Sequence, residues 1–260
     1  MLCAFKKFLV IGSLLTLCIN ASAQQPIFID TLVASPFPLN WNVLPYYNFK
    51  GIPYYIILEN DKAYACADKS KYLPQLPFKL PKPGPFDYDG MPAWQKVENG
   101  YLVGYNNGEW GGSLFWFSPD GSENYKISRD QVQQFVVRNN ELLAIAEGSH
   151  QGMPFGMLNK LVLAKGKWIS EPYLKLNTIS HSITVSDDDL YVVAHKSILK
   201  IDKQKNIHVL LDKPIWGSTT IFNTSVIICK NVLYCGMWEG VYKYDLKSGK
   251  QEWLSLEVKK

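Results

Sequence analysis

The chain has 260 residues and a formal net charge of +4, which falls to +2 without its first 23 residues because these contain two lysines and no acidic residue. The remaining basic residues are spread along the chain, and the two arginines, Arg129 and Arg138, form no cluster. Binding to a phosphate backbone needs a concentrated basic face, so nucleic acid is not expected as a partner.

Residues 1–23 are predicted to be a cleavable signal peptide. Two lysines precede the apolar run 8–19, and Ala21-Ser22-Ala23 supplies the small residues of a cleavage site. A membrane-spanning helix needs about 20 apolar residues, and a lipidation box ending at Cys18 would need a small residue where Leu17 stands. We therefore expect a mature chain that begins at Gln24, has no transmembrane segment and is periplasmic or secreted.

Three cysteines remain in the mature chain: Cys66, Cys229 and Cys235. An odd number in an oxidising compartment permits at most one internal disulfide. Cys66 and Cys235 lie in the first and last repeats described below, which would be neighbours in a closed ring. The alternative is that all three are small buried apolar residues.

A repeat runs through the mature chain. The stretches GEWGGSLFWFSPDG (108–121) and GMWEGVYKYDLKSG (236–249) match at a constant offset of 128, which corresponds to three repeats of about 43 residues. A turn followed by a short apolar run occurs five times, with spacings of 38, 41, 48 and 42. In chain order its anchors are Ala63, Tyr101, Leu142, Leu190 and Val232.

Each repeat contains four short apolar runs, seen most clearly in HSITVSDDD, LYVVAH, SILKIDKQK and NIHVLLD. Such runs between Asp, Asn, Gly and Lys turns are typical of antiparallel strands joined by hairpins. Repeats of this length with four strands predict an all-β, five-bladed β-propeller of four-stranded antiparallel blades. The alternatives are a β-sandwich or a β-solenoid.

The mature chain, 24–260, is expected to be a single domain. The approximate blades are 46–85, 86–130, 131–177, 178–215 and 216–260. Residues 25–44 add an outer strand to the last blade through Ile27-Phe28-Ile29, or pack as an irregular arm.

Residues 240–253, GVYKYDLKSGKQEW, resemble a blade of the quinoprotein-like propellers, and residues 182–202 are similar to blades of NHL-type and lactonase-type propellers. The resemblance covers roughly the last three blades and implies the architecture. The chain has no adjacent cysteine pair and no acidic metal cluster on its repeats, so no quinone or other cofactor is expected.

Propeller geometry places the connections between second and third strands, and those between blades, on one face. Loops on a rigid scaffold commonly carry function, and aromatic rings with carboxylates there are typical of a recognition surface. The candidate binding residues are Trp94, Glu109, Trp110, His150, Met153, Phe155, His181, Trp216, Trp238 and Glu239. Alternatively the tryptophans fill gaps between blades. Periodicity favours packing for Trp110 and Trp238, whereas Trp216 lies in a non-repeating insertion that favours function.

Catalytic motifs are not found. The four histidines lack HxH or HExxH spacing, so a zinc site would require unrelated loops to converge, and there is no nucleophile elbow or P-loop. The favoured hypothesis is an exported, non-catalytic protein that binds a protein or glycan partner, as an envelope immunity or inhibitor protein does. The alternative is a hydrolase or lyase acting on a polysaccharide or lactone, using His150 or His181 with Glu109 or Glu239. A purely structural envelope subunit is a third possibility.

Overall fold

The computed structural model of the chain describes residues 25–37, 52–68, 75–82, 88, 90–150, 153–216 and 223–255. These residues contain 20 β-strands and two short 3₁₀ turns, Ile29–Thr31 and Gly108–Trp110. The predicted all-β class is confirmed. The predicted signal peptide, residues 1–23, lies outside the described residues.

The strands in chain order are β1 (Ile27–Phe28), β2 (Val33–Ser35), β3 (Tyr55–Glu59), β4 (Lys62–Cys66), β5 (Met91–Val97), β6 (Gly100–Asn106), β7 (Gly112–Phe117), β8 (Asn124–Ser128), β9 (Val132–Arg138), β10 (Glu141–His150), β11 (Met153–Ala164), β12 (Lys167–Lys175), β13 (Ser180–Ser186), β14 (Asp189–Ala194), β15 (Ser197–Ile201), β16 (Ile207–Leu211), β17 (Asn223–Cys229), β18 (Val232–Met237), β19 (Gly240–Asp245) and β20 (Gln251–Ser255).

Repeated antiparallel sheets follow the chain. Strands β5–β8 form sheet 2, β9–β12 form sheet 3, β13–β16 form sheet 4, and β17–β20 form sheet 5, which gains β2 on its outer edge. Sheet 1 has three described strands in the order β1-β4-β3. The five anchors of the sequence repeat all lie at the start of a second strand, in β4, β6, β10, β14 and β18.

The hairpins between first and second strands explain the polar residues at the repeat anchors. In sheets 1, 3, 4 and 5 both turn residues have φ between 49° and 68°, the left-handed conformation of a type I′ turn. Asn, Asp and Lys occupy these positions, and Asn and Asp tolerate that conformation better than most residues. The turn pairs are Asn60-Asp61, Asn139-Asn140, Asp187-Asp188 and Lys230-Asn231.

The two glycines that repeat at the offset of 128 open equivalent strands, because Gly112 begins β7 and Gly240 begins β19. A Cβ on Gly112 would lie 2.4 Å from the Tyr105 carbonyl oxygen, and one on Gly240 would lie 2.2 Å from the Trp253 ring. Both positions therefore need glycine because other parts of the same sheet pass too close.

The sheets stack face to face in the order 2, 3, 4, 5, 1. Each pair of neighbours encloses an apolar cluster, such as Leu102 and Leu114 of sheet 2 against Val132 and Leu161 of sheet 3. The same holds between sheets 3 and 4, 4 and 5, and 5 and 1. First strands lie side by side along the stack, with β9 beside β5 and β13, and β17 beside β13 and β3.

The described residues do not close this stack into a ring, so the expected propeller is not established. The free face of sheet 2 is covered by the segment that precedes it: Phe78 stacks on Phe117 with ring centroids 5.5 Å apart, and Tyr88 stacks on Phe115 at 4.7 Å. Part of the predicted first blade, 46–85, lies outside the described residues.

The N-terminal segment serves two sheets. As one of the two alternatives predicted, it adds an outer strand to the last sheet, but this strand is Val33–Ser35 and not Ile27-Phe28-Ile29. Strand β1 pairs with β4 of sheet 1, and β2 pairs with β20 of sheet 5, where Val33 lies opposite Ser255. Between them Ile29 is buried with Ile56 and Leu254 in the core that sheets 1 and 5 share. Because Ile27–Phe28 pair with β4, they do not form the outer strand of the last sheet.

The cysteines form no disulfide with one another. Cys66 and Cys235 are completely buried within sheets 1 and 5, and Cys229 is half-buried. The candidate pair Cys66–Cys235 is therefore not formed, and the two buried cysteines act as small core residues.

Candidate functional site at the loop-rich end

Antiparallel topology places the connections between second and third strands, and those from one sheet to the next, at the same end of the stack. We call this the loop-rich end. It includes the β6–β7, β10–β11, β14–β15 and β18–β19 connections.

The β6–β7 connection displays Trp110 to solvent. Trp110 is 83% exposed, the highest value among the large hydrophobic residues in the described part of the chain. Trp110 ends the 3₁₀ turn Gly108–Trp110, and Gly108 and Gly111 on either side have positive φ values of 57° and 95°. These glycines allow a tight turn that projects the indole away from the sheet.

Hydrogen bonds fix the backbone of this loop. Asn107 N–H donates to Gly111 O at 2.9 Å, and Trp110 N–H donates to Asn107 O at 3.1 Å. The Asn106 side chain accepts from Gly108 N–H at 2.9 Å. Local hydrogen bonds therefore support the conformation of this loop, although most of the Trp110 surface is exposed.

A residue from the next connection also holds the Trp110 loop. Gln131 lies between sheets 2 and 3, and its side-chain amide donates to Gly108 O and, at 3.1 Å, to Gly111 O. The Asn106 amide in turn donates to the Gln133 side chain at 3.1 Å. Sheet 3 and the connection that precedes it thus hold a loop that belongs to sheet 2.

The 3₁₀ turn Gly108–Trp110 lies against β10 of sheet 3. Strands β10 and β11 extend to the end of their hairpin, where His150 pairs with Met153 and Gly148 with Phe155. The side chains of Glu109, His150, Met153 and Phe155 lie outside what the structure describes. The fold thus brings together two of the loops that contain candidate residues.

The β18–β19 connection is equivalent to the Trp110 loop but is packed differently. Trp238 is half-buried against the core between sheets 4 and 5 and forms a β-bridge with Pro53. Glu239 is exposed with φ 63°, and its N–H donates to Ile52 O at 2.8 Å. Burial, and secondarily the Glu239 charge, raise the pKa of Tyr54.

Two further candidate tryptophans pack within the fold. Trp216 is 2% exposed, its indole N–H donates to His195 O at 2.9 Å, and its ring meets Tyr242 edge-on at 4.8 Å. Trp94 lies within β5, half-buried, with its ring 6.1 Å from Tyr101. In this structure both contribute to packing rather than to an exposed surface.

A set of β-bulges lies at the loop-rich end and was not predicted from the sequence. The register of the first strand shifts by one residue in sheets 3, 4 and 5, which leaves Gln133, His181 and Thr224 as the extra residues. A bulge re-aims a side chain and bends its strand. The alternation of apolar and polar residues along a strand does not reveal an inserted residue, so the sequence contains no signal for these bulges.

Residues at or beside these bulges connect neighbouring sheets. Gln134 exchanges two hydrogen bonds with Ile183 of sheet 4, at 2.9 and 3.0 Å. In sheet 5 the Thr224 hydroxyl donates to Tyr54 O, and the Ser225 hydroxyl accepts from Ile56 N–H at 2.7 Å. The bulges therefore tie the first strands of adjacent sheets together.

Two carboxylates with strongly lowered pKa values lie at the opposite end of the sheets, in turns between third and fourth strands. Hydrogen bonds from Ser118 and Ser122 lower the pKa of Asp120 to about 2. Hydrogen bonds from His208 and Asn206 lower the pKa of Asp202. These carboxylates cap turns, and their shifts have a structural explanation.

Among the described residues, no group of three or more His, Cys, Asp and Glu side chains is placed to hold a metal ion. The described part of the chain also contains no helix long and apolar enough to cross a membrane.

No protein-family model matches the chain, and no curated protein matches it. Among solved structures it is similar to YjhT, with 9% identity and a TM-score of 0.41 over 68% of this chain and 66% of that one. It is also similar to the extracellular domain of BT4673 from B. thetaiotaomicron, described in one structure as a hybrid two-component system and in another as a one-component system. These two matches have identities of 13% and 15% and TM-scores of 0.38 and 0.41, over 64% and 68% of this chain.

The chain spans 66% of YjhT and 21% and 24% of the two BT4673 chains. Similarities at this level identify no function.

Proposed function

We propose that the chain is an exported, non-catalytic binding protein that recognises a protein or glycan partner through its loop-rich end. The observation that supports this most directly is Trp110, which is 83% exposed. An indole in water does not stabilise its own fold, whereas buried against a partner it supplies the large apolar contact typical of binding hot spots.

The order of the Trp110 loop supports the same proposal. Binding through a mobile loop loses affinity to the cost of ordering it, and a loop already fixed avoids most of that cost. The Gln131 amide and the Asn106 side chain fix this one in the unbound chain. The neighbouring strand β10 and the exposed Glu239 extend the proposed surface on other sheets.

Affinity capture from the cell-envelope extract of the source organism tests this proposal, with the mature chain 24–260 as bait. The expected result is a bound partner that is lost with Trp110→Ala and kept with Val209→Ala. Val209 is a suitable control because it is 60% exposed on β16, in the outer strand of sheet 4. Protease and glycosidase treatment of the extract distinguish a protein partner from a glycan. Capture that is unchanged by Trp110→Ala would contradict the proposed surface, and cleavage of a polysaccharide by the chain would contradict a non-catalytic role.

For the fold, we propose that the five sheets are the blades of a five-bladed β-propeller. The stacking order 2, 3, 4, 5, 1 and the side-by-side first strands support this arrangement. The N-terminal segment, shared by sheets 1 and 5, supplies strands to both. A crystal structure of the mature chain tests it: β3 and β5 should flank one central channel, and a β-sandwich or an open stack would contradict it.

Export to the periplasm or outside the cell is part of the proposal and rests on the predicted signal peptide. Cell fractionation tests it. When the full chain is expressed, the protein recovered outside the cytoplasm should begin at Gln24. A chain expressed without residues 1–23 should remain in the cytoplasm.

A further inference from the structure

Two of the four histidines, which are fourteen positions apart in sequence, come together at the loop-rich end of sheet 4. The ring centroids of His181 and His195 lie 6.1 Å apart, with the ring planes at 68°. Both residues are half-buried, and His181 Nε2 and His195 Nδ1 are shielded from solvent. A metal site would require histidines from separate parts of the chain to come together, and the fold brings this pair of imidazoles together.

The backbone holds both residues in place. His181 is the extra residue of a bulge, because Ser180 and Ser182 pair with the adjacent residues Ala194 and Val193. His195 lies in the turn between β14 and β15, and its N–H donates to Ile179 O at 2.9 Å. Its carbonyl oxygen accepts the Trp216 indole N–H at 2.9 Å. The buried Trp216 therefore helps to position His195.

We propose that His181 and His195 bind one divalent transition-metal ion, of the zinc, copper or nickel class. Neutral imidazole nitrogens are the side-chain ligands these ions use most often. With metal–nitrogen distances of about 2.1 Å, a tetrahedral ion brings two imidazole centres to roughly 5 Å from each other. The pair must therefore close by roughly 1 Å, which side-chain rotation can supply.

Two imidazoles leave coordination positions open. No third His, Cys, Asp or Glu of the described residues joins this pair. Water or a donor atom of a bound partner completes the coordination sphere, the arrangement of an exchangeable site rather than of a closed structural one. The site is independent of the Trp110 loop, which lies on sheet 2.

Isothermal titration calorimetry of the untagged mature chain with zinc chloride tests the proposal. One equivalent of zinc should bind, and His181→Ala and His195→Ala should each weaken binding by at least about tenfold. His208→Ala is the matched control, since His208 is 52% exposed and its Nε2 lies 3.0 Å from an Asp202 carboxylate oxygen. Binding should be unchanged in that variant.

Imidazole NMR signals of the wild-type chain provide a measurement that does not depend on the variants folding. On addition of zinc the signals of His181 and His195 should shift together, while that of His208 stays in place. The proposal is overturned if zinc does not bind stoichiometrically, if the two signals do not move, or if folded His181→Ala and His195→Ala bind as the wild type does.

Discussion

Substitution of Ser225 by alanine should loosen the junction between sheets 5 and 1. The Ser225 hydroxyl accepts the Ile56 N–H at 2.7 Å, and both residues are completely buried. Alanine removes the acceptor and leaves a backbone N–H without a partner in an apolar environment, at a cost of about 1–3 kcal/mol in the free energy of unfolding. For a chain of this size each kcal/mol corresponds to about 2–4 °C, so the melting temperature should fall by roughly 2–12 °C.

Urea unfolding and hydrogen exchange at the Ile56 amide together measure this effect. Ser186→Ala is the matched control, because its hydroxyl reaches the Asp187 carboxylate at 3.5 Å in an exposed position. The control should change the free energy of unfolding by no more than about 0.5 kcal/mol. If Ser225→Ala behaves like the control, and the Ile56 amide exchanges no faster, the hydrogen bond does not hold the two sheets together.

Three further outcomes are expected. Trp110→Ala should change the free energy of unfolding by no more than about 0.5 kcal/mol because Trp110 is 83% exposed. Trp216→Ala should lower the free energy of unfolding by about 3–5 kcal/mol because the ring is buried. Urea unfolding of both variants checks this contrast. A Val33→Cys/Ser255→Cys double variant should form an intramolecular disulfide, detected by a mobility shift under non-reducing electrophoresis, because these residues lie opposite each other in β2 and β20. Hydrogen bonds from neighbouring serines lower the pKa of Asp120 from 3.8 to about 2. The contribution of the Asp120 carboxylate to stability is therefore complete above pH 3.8 and lost as the pH falls towards 2. In that pH range the melting temperature of Asp120→Asn should decline less steeply than that of the wild type.

The repeat could be read from the sequence because its signals are local. Each anchor, such as Leu142 or Leu190, follows a polar turn and opens an alternating apolar strand, and the structure places all of them in second strands. The type I′ turns need residues that tolerate positive φ, and Asn140 and Asp188 are such residues. Strand number and strand order within a sheet follow from these short-range patterns.

The environment of each tryptophan depends on loop length, which periodicity does not reveal. Trp110 and Trp238 occupy matching positions, but five residues separate β6 from β7 while two separate β18 from β19. The longer loop carries Trp110 into solvent, and the tight turn keeps Trp238 against the core. Trp216 lies outside the repeat in sequence, yet it fills the space beside Tyr242.

The pairing of His181 with His195 and the role of the N-terminal segment could not be predicted for a related reason. Both depend on contacts between distant parts of the chain. A bulge at His181 becomes visible when the partner strand is known, and Ile29 is buried where sheets 1 and 5 meet. Composition and local pattern contain no information about either contact.

The pairing of β2 with β20 has a consequence for synthesis. Residues Val33–Ser35 leave the ribosome long before their partners in Gln251–Ser255. Strand β2 therefore has no partner strand until β20 has been made, and contacts between such distant residues form slowly. Sheet 5 therefore gains its outer strand only after β20 has been made.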